Sequence, residues 1–216
     1  MKIQYSIFNL IVTLFLSATC IAAVDCSTYD SDIALDINIK YGKIHYDNTK
    51  SNSQFPSKPY ATTMGLTMSD LKQNFSADSH IVQTSDGSFC VSLKKVHANI
   101  GFPRIDIYID KKYRPGTCNY NVIKEHEEYH ARVQREGLQF FEPKIRQAIK
   151  IASKKIKAER AFSMDQAQAI ASSMLDRIQR DIKPTMNFVQ KRLTEENQVI
   201  DTPESYAAET KKCKRW

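Results

Sequence analysis

Two of the chain's five histidines stand four residues apart around a glutamate, in His126-Glu127-Glu128-Tyr129-His130. On an α-helix, residues four apart lie on one face. Two imidazoles at that spacing can hold one zinc ion, and the carboxylate of Glu127 can reach a water on the open side of the metal. The chemistry this allows is metal-assisted hydrolysis: the ion lowers the pKa of a water and polarises a carbonyl, while Glu127 moves the proton. Ile123, His126, His130, Val133 and Gly137 fall on one helical stripe, which predicts that the histidines face the core. The competing interpretation is an exposed, charged helix that happens to carry two histidines, and the apolar stripe argues against it. His45, His80 and His97 have no metal-like spacing and read as ordinary surface or half-buried histidines.

The motif needs a helix, and the flanking sequence supplies one over about 119–139. Lys111 to Gly116 is a turn, and either Asn119 or Asn121 can cap the helix after it. Glu125, Glu127 and Glu128 stand in the early turns, where the helix dipole favours acids. Glu142-Pro143 predicts its end, since the residue before a proline disfavours the helical conformation. Upstream, residues 33–46 alternate apolar and polar as a half-buried strand does, residues 48–59 read as a polar loop, and Thr67 to Asn74 read as a short helix capped by Thr67 or Ser69. Strands flank the turn Ser85-Asp86-Gly87. Arg104 to Asp110 is the clearest strand, with Ile105, Ile107 and Ile109 on one face and Asp106, Tyr108 and Asp110 on the other. That polar face predicts an edge or a cleft wall, to which an extended peptide could add as a further strand; an ordinary strand with one solvated face fits equally well. Downstream, Ile145, Ala148, Ile149, Ala152 and Ile156 form one amphipathic stripe. Ala167, Ile170, Met174 and Ile178 form another, continuing to Phe188 and Leu193 past Pro184, which predicts a kink or break. The fold class is therefore α+β in one domain, residues 24–216: a small, mostly antiparallel sheet in the strand-rich part 24–118, the motif helix, and a helical part 119–216.

A catalytic zinc takes three protein ligands and a water. No third histidine stands six residues after the second; Glu136 occupies that position, and a continuous helix turns it away. The remaining candidates are glutamates from later segments: Glu142, Glu159, Glu204 and Glu209. The last two belong to a segment with its own helix start, Asp201 or Thr202 as cap and Pro203 at the first position. They do not share a helical face, so they are alternatives. Cys26, Cys90, Cys118 and Cys213 are an even set that predicts two disulfides, with three possible pairings. A Cys118–Cys213 pairing would bring the motif helix and the C-terminal segment together, and on that basis Glu204 is the preferred third ligand.

Residues 1–23 read as a secretory signal: Lys2, an apolar run from Ile7 to Leu16, and a small-residue cleavage site at Ala22-Ala23. Thr19 before Cys20 is a poor fit to a lipid-modification site. Without this segment the formal charge falls from +7 to +6. The many Lys and Arg residues are mainly solvated helix faces without aromatic interleaving, which excludes nucleic acid as the expected partner. The basic balance favours an envelope or cell-wall surface.

His-Glu-x-x-His on a helix resembles the zincin metallopeptidase signature. Within that group, Cys118-Asn119-Tyr120-Asn121-Val122-Ile123-Lys124-Glu125-His126-Glu127-Glu128-Tyr129-His130-Ala131-Arg132-Val133 resembles the core of a bacterial family of exported proteins classed as predicted secreted zinc-dependent proteases. That family carries an Asp-containing motif in its C-terminal part; Asp201 and its neighbours are similar to it, with Tyr206 where the family has a histidine. The resemblance implies a zincin-like fold, Zn2+ as cofactor, a protein or peptide substrate, and a periplasmic or extracellular location. Tyr206 is a candidate donor to the developing oxyanion. Two alternatives stand beside this: an amidase acting on cell-wall peptides, and a non-enzymatic envelope protein whose metal site is structural or degenerate.

Overall fold

The computed structural model describes residues 24–30, 32–56 and 63–216, so the expected signal segment 1–23, with Cys20, lies outside the described residues. The sheet is built around one strand, β4 (Phe89–Ile109), which is paired along both sides. On one side lies β1 (Ala34–Asp47), parallel, from Ala34 opposite Lys95 to Asp47 opposite Tyr108. On the other side lie β2 (Gly65–Ser69) and β3 (Lys72–Gln83), both antiparallel and meeting successive stretches of β4. A three-residue strand, β5 (Glu159–Ala161), pairs antiparallel with Phe89–Val91. The sheet is thus mixed: the β2, β3 and β5 pairings are antiparallel, as expected, and the long β1–β4 pairing is parallel.

The register explains the inward set of β4. Val91 and Leu93 are buried, then Val96, Ala98, Ile100 and Phe102, then Ile105, Ile107 and Ile109. A strict alternation would turn half of these outward. The first change of parity falls at a bulge, where the β3 partners step from Asp78 opposite Lys95 to Ser79 opposite Leu93. An extra residue inserted in one strand restores the apolar face. The second falls at Pro103, opposite Gly42 of β1, whose φ of 74° favours glycine. Beyond it β2 replaces β3.

Helix α1 (Cys118–Lys154) and helix α2 (Met164–Ile200) pack on each other and on the sheet. α1 is tied to β1 by the hydroxyls of Tyr41 and Tyr46, which donate to Glu142 and Glu128. A short helix, α3 (Pro203–Thr210), follows, capped by Thr202, one of the two caps the sequence offers. The described residues hold no helix long and apolar enough to cross a membrane. Disulfides link Cys26 to Cys90 and Cys118 to Cys213. Both are consistent with an exported protein.

Several expectations are revised. Residues 67–74 are not a helix but parts of β2 and β3; their side chains are paired across a sheet that the local sequence does not reveal. Arg104–Asp110 is not an edge, because β1 and β2 flank it. Thr117, not Asn119 or Asn121, caps α1. α1 does not stop at Pro143, nor α2 at Pro184. A proline costs a helix interior about 3 kcal/mol. The buried row Leu138, Phe141, Ile145 and Ile149 runs across Pro143, and Ile178, Ile182, Met186 and Val189 run across Pro184. At about 1.5–3 kcal/mol for each buried large side chain, continuing the helix wins. Both prolines lie on the exposed face, where the carbonyls left without a donor reach water.

Candidate metal centre

His126, Glu127 and His130 lie about two to three turns into α1 and are 6%, 5% and 7% exposed. Burial of three titratable groups in sequence demands partners, and each has them. His126 Nδ1 is 2.8 Å from Glu209 Oε1. An ionised carboxylate only accepts, so Nδ1–H is the donor. His130 Nδ1 is 2.9 Å from Asn197 Oδ1. Asn197 uses its amide nitrogen on the Leu193 carbonyl at 2.9 Å, which turns its oxygen to the imidazole. Both rings therefore present Nε2 as the atom with a free lone pair.

Those lone pairs converge. The two Nε2 atoms are 3.1 Å apart, and Asp201 Oδ1 lies 3.3 Å from that of His126 and 3.4 Å from that of His130. Three acceptors this close repel unless a cation or a proton sits among them. His126, His130 and Asp201 are a group that could hold a metal ion. Its charge balance suits one: Asp201, Glu209 and Glu127 bring three carboxylates to two imidazoles. Without a metal a proton serves. Burial, the largest influence on His126, works against its charge, but the hydrogen bonds to Asp201 and Glu209 and the Glu127 charge outweigh it and raise it to about 9.

Asp201 caps the C-terminus of α2, at the bend into α3. Tyr206, on α3, donates its hydroxyl to Asp201 Oδ1, and its ring lies 5.2 Å from that of His126. Burial and then the Asp201 hydrogen bond push its phenol well above the ordinary range. The structure brings Asp201 to the histidines and leaves the preferred candidate, Glu204, exposed in the first turn of α3. Glu142 is bonded to Tyr41 and Arg146, and Glu159 to Arg177. Glu209 reaches the outer nitrogen of His126 instead of the converging atoms. The signal for Asp201 was present in its motif resemblance, but its place before Thr202-Pro203 marks it equally as a helix cap. Asn197 carries no sequence signal; the contact depends on how α2 crosses α1.

Glu127 sits beside this group under β2. Thr67 Oγ1 lies 2.8 Å from Glu127 Oε2 and 2.9 Å from its main-chain oxygen. Gly65 is forced by the same approach: a Cβ there would meet Glu127 Oε1 and Ile123 Cγ2, each at 2.6 Å. Burial pushes the Glu127 carboxyl above the ordinary carboxylate range, opposed by the two histidines and by Thr67. Beside the group opens a cleft of about 300 Å3, walled by β2, α1 and the end of α2. Away from β4, β2 has no strand partner among the described residues. His45 and His97 engage surface acids, Asp106 and Asp36 with Asp78 respectively, and His80 is exposed; none lies in the group.

Set against known proteins, the chain matches no family model, no curated relative and no solved structure.

Proposed function

We propose that the chain is an exported zinc-dependent peptidase of zincin type. The observation that carries this reading is the convergence of His126 Nε2, His130 Nε2 and Asp201 Oδ1 beside the buried carboxylate of Glu127. Tetrahedral zinc with ligand bonds of about 2.0–2.1 Å keeps its ligand atoms about 3.3 Å apart. The observed separations of 3.1, 3.3 and 3.4 Å fit that without rearrangement. Histidine and carboxylate are donors zinc accepts, and hydrogen bonds to the outer nitrogens orient them.

When bound, zinc supplies a water of lowered pKa and a Lewis acid for the scissile carbonyl. Every other part of the reaction falls to the chain. His126, His130 and Asp201 hold the ion. Glu127, held by Thr67 and kept from bulk water, takes the proton of the attacking water and delivers it to the departing amine. Tyr206 has an O–H beside the same Asp201 oxygen and can turn it to a developing oxyanion. The outer edge of β2 offers main-chain donors and acceptors along the cleft, where an extended peptide can add as a strand. The sequence places that role on residues 104–110; the free edge favours residues 65–69.

The test is Glu127→Gln in zinc-loaded protein. It should keep about one zinc per chain and lose hydrolysis of unfolded protein substrates by about 100- to 10,000-fold. Unchanged hydrolysis would sink the reading.

A further inference from the structure

The cleft beside the metal-binding group has an unusual lining for a chain of formal charge +7. Its titratable residues are Glu127, His130 and Asp201, all at the metal end. Beyond them it is walled by uncharged hydrogen-bonding side chains: Ser69 on β2, Gln134 on α1, and Gln190, Thr194 and Gln198 on α2. Leu66, Phe102 and Leu193 supply the apolar surface among them. Among the described residues, no Lys or Arg lines it.

The hydrogen-bonding state of these groups is specific. Ser69 donates its hydroxyl to Gln134 Oε1, which fixes the amide with its nitrogen uncommitted among the described residues and two N–H donors to give. Thr194 donates to the Gln190 carbonyl at 2.9 Å, so this pair is turned back on its own helix. Gln198 has no side-chain partner among the described residues and offers both a donor and an acceptor. A ligand group that enters here meets donors and acceptors but no counter-charge.

We infer that this cleft receives an uncharged amide side chain, glutamine or asparagine, of a peptide substrate, with Gln134 and Gln198 as the residues that recognise it. The inference rests on the peptidase reading above. A carboxylate side chain seated beyond the metal end would be drawn out of water with no Lys or Arg side chain to meet it. An ammonium there would give up its hydration for neutral amides. An apolar side chain would strip water from Gln134 and Gln198 and give nothing back. A carboxamide returns donor for acceptor and acceptor for donor. A site built to hydrogen-bond its ligand rejects analogues that leave its polar groups unpaired.

The experiment uses the zinc-loaded protein and internally quenched peptides of one frame. Gln, Asn, Glu, Lys or Leu is placed in turn at each position flanking the cleaved bond. At one position Gln and Asn should exceed Glu, Lys and Leu in kcat/KM by about tenfold or more. Gln198→Lys, an exposed change, should move the preference at that position to Glu. Gln134→Leu should erase the advantage of Gln over Leu. No amide-selective position, or an unmoved profile in Gln198→Lys, overturns the assignment. Fluorescence anisotropy of the same peptides on zinc-loaded Glu127→Gln separates two failures. Equal binding of Gln and Leu peptides defeats the cleft assignment alone. Selective binding of Gln peptides with no hydrolysis by the native protein defeats the peptidase reading alone.

Discussion

The group that could hold a metal ion is assembled from two regions held in different ways. His126 and His130 belong to a 37-residue helix whose inner face is packed against the sheet and α2. Their separation is a property of helical geometry and survives small adjustments elsewhere. Asp201, Tyr206 and Glu209 come from the bend after α2 and from α3, a helix with no fully buried residue. This arm is held by the Cys118–Cys213 bond, by Asn119 donating to the Arg215 carbonyl at 2.7 Å, and by Trp216 against Tyr113 at 6.2 Å. One region is positioned by packing, the other by a covalent tie and a few polar contacts. Stability and metal affinity should therefore respond differently to damage in each.

The largest separation should come from the two disulfides. Removing either one with paired Cys→Ser changes should cost about 2–5 kcal/mol of stability. Loss of Cys118–Cys213 should also weaken zinc binding, because it frees the arm that carries Glu209 and leads back to Asp201. Loss of Cys26–Cys90, which ties an N-terminal turn to the start of β4, should leave zinc affinity of the folded protein unchanged. Chelator competition with thermal unfolding in parallel reads both. Equal effects on affinity would mean that the arm is held by its contacts alone.

The pH response of the metal-free protein sharpens the same contrast. His126 is raised from its ordinary 6.5 to about 9 by partners on the arm, Asp201 and Glu209, against the opposing effect of burial. A folded-state value above the unfolded one stabilises the fold fully below pH 6.5, and that contribution is lost as pH rises through about 9. The difference between 9 and 6.5 corresponds to at most roughly 3 to 4 kcal/mol. Metal-free protein should lose stability across this window in urea titrations, and His126→Gln should flatten the dependence. Zinc affinity should rise over the same window, because the ion must displace the proton.

A smaller effect is expected at the outer contact. Glu209→Gln keeps the shape of the side chain but weakens the hold on His126 Nδ1. Zinc affinity should fall about 10- to 100-fold, and the metal-free protein should lose only the part of the His126 contribution to stability that Glu209 supplies. An affinity equal to that of the native protein would show that α1 alone orients the ring.

Legibility in the sequence divides along the same line. The histidine pair, Glu127 and a helix start at Thr202-Pro203 are local patterns found where expected; of the stripe, Ile123, His126 and His130 are buried, while Val133 and Gly137 are half-buried and the buried row continues through Ala131 and Leu138. The sheet order is not local: Arg104–Asp110 has the alternation of a one-sided strand, yet it lies between β1 and β2. Residues 67–74 lie in strands because β4 offers them a partner, while their own composition reads as a helix start. Prolines 143 and 184 are breakers by propensity and are overridden by buried rows that the helices form only together. The third member of the metal-binding group belongs with these non-local features. Glu204 is favoured by the Cys118–Cys213 pairing that brings its segment to the motif helix, but its side chain in the first turn of α3 faces water, and the residue capping α2 is the one turned inward.

The central claim is that Asp201 completes the group with His126 and His130. Its most direct test is zinc content by elemental analysis of protein purified without affinity histidines or chelators, for native protein, His126→Ala, Asp201→Ala and Glu204→Ala. About one zinc per chain is expected in the native protein and in Glu204→Ala, and loss of zinc in the other two. Full zinc retention in Asp201→Ala with loss in Glu204→Ala would contradict it.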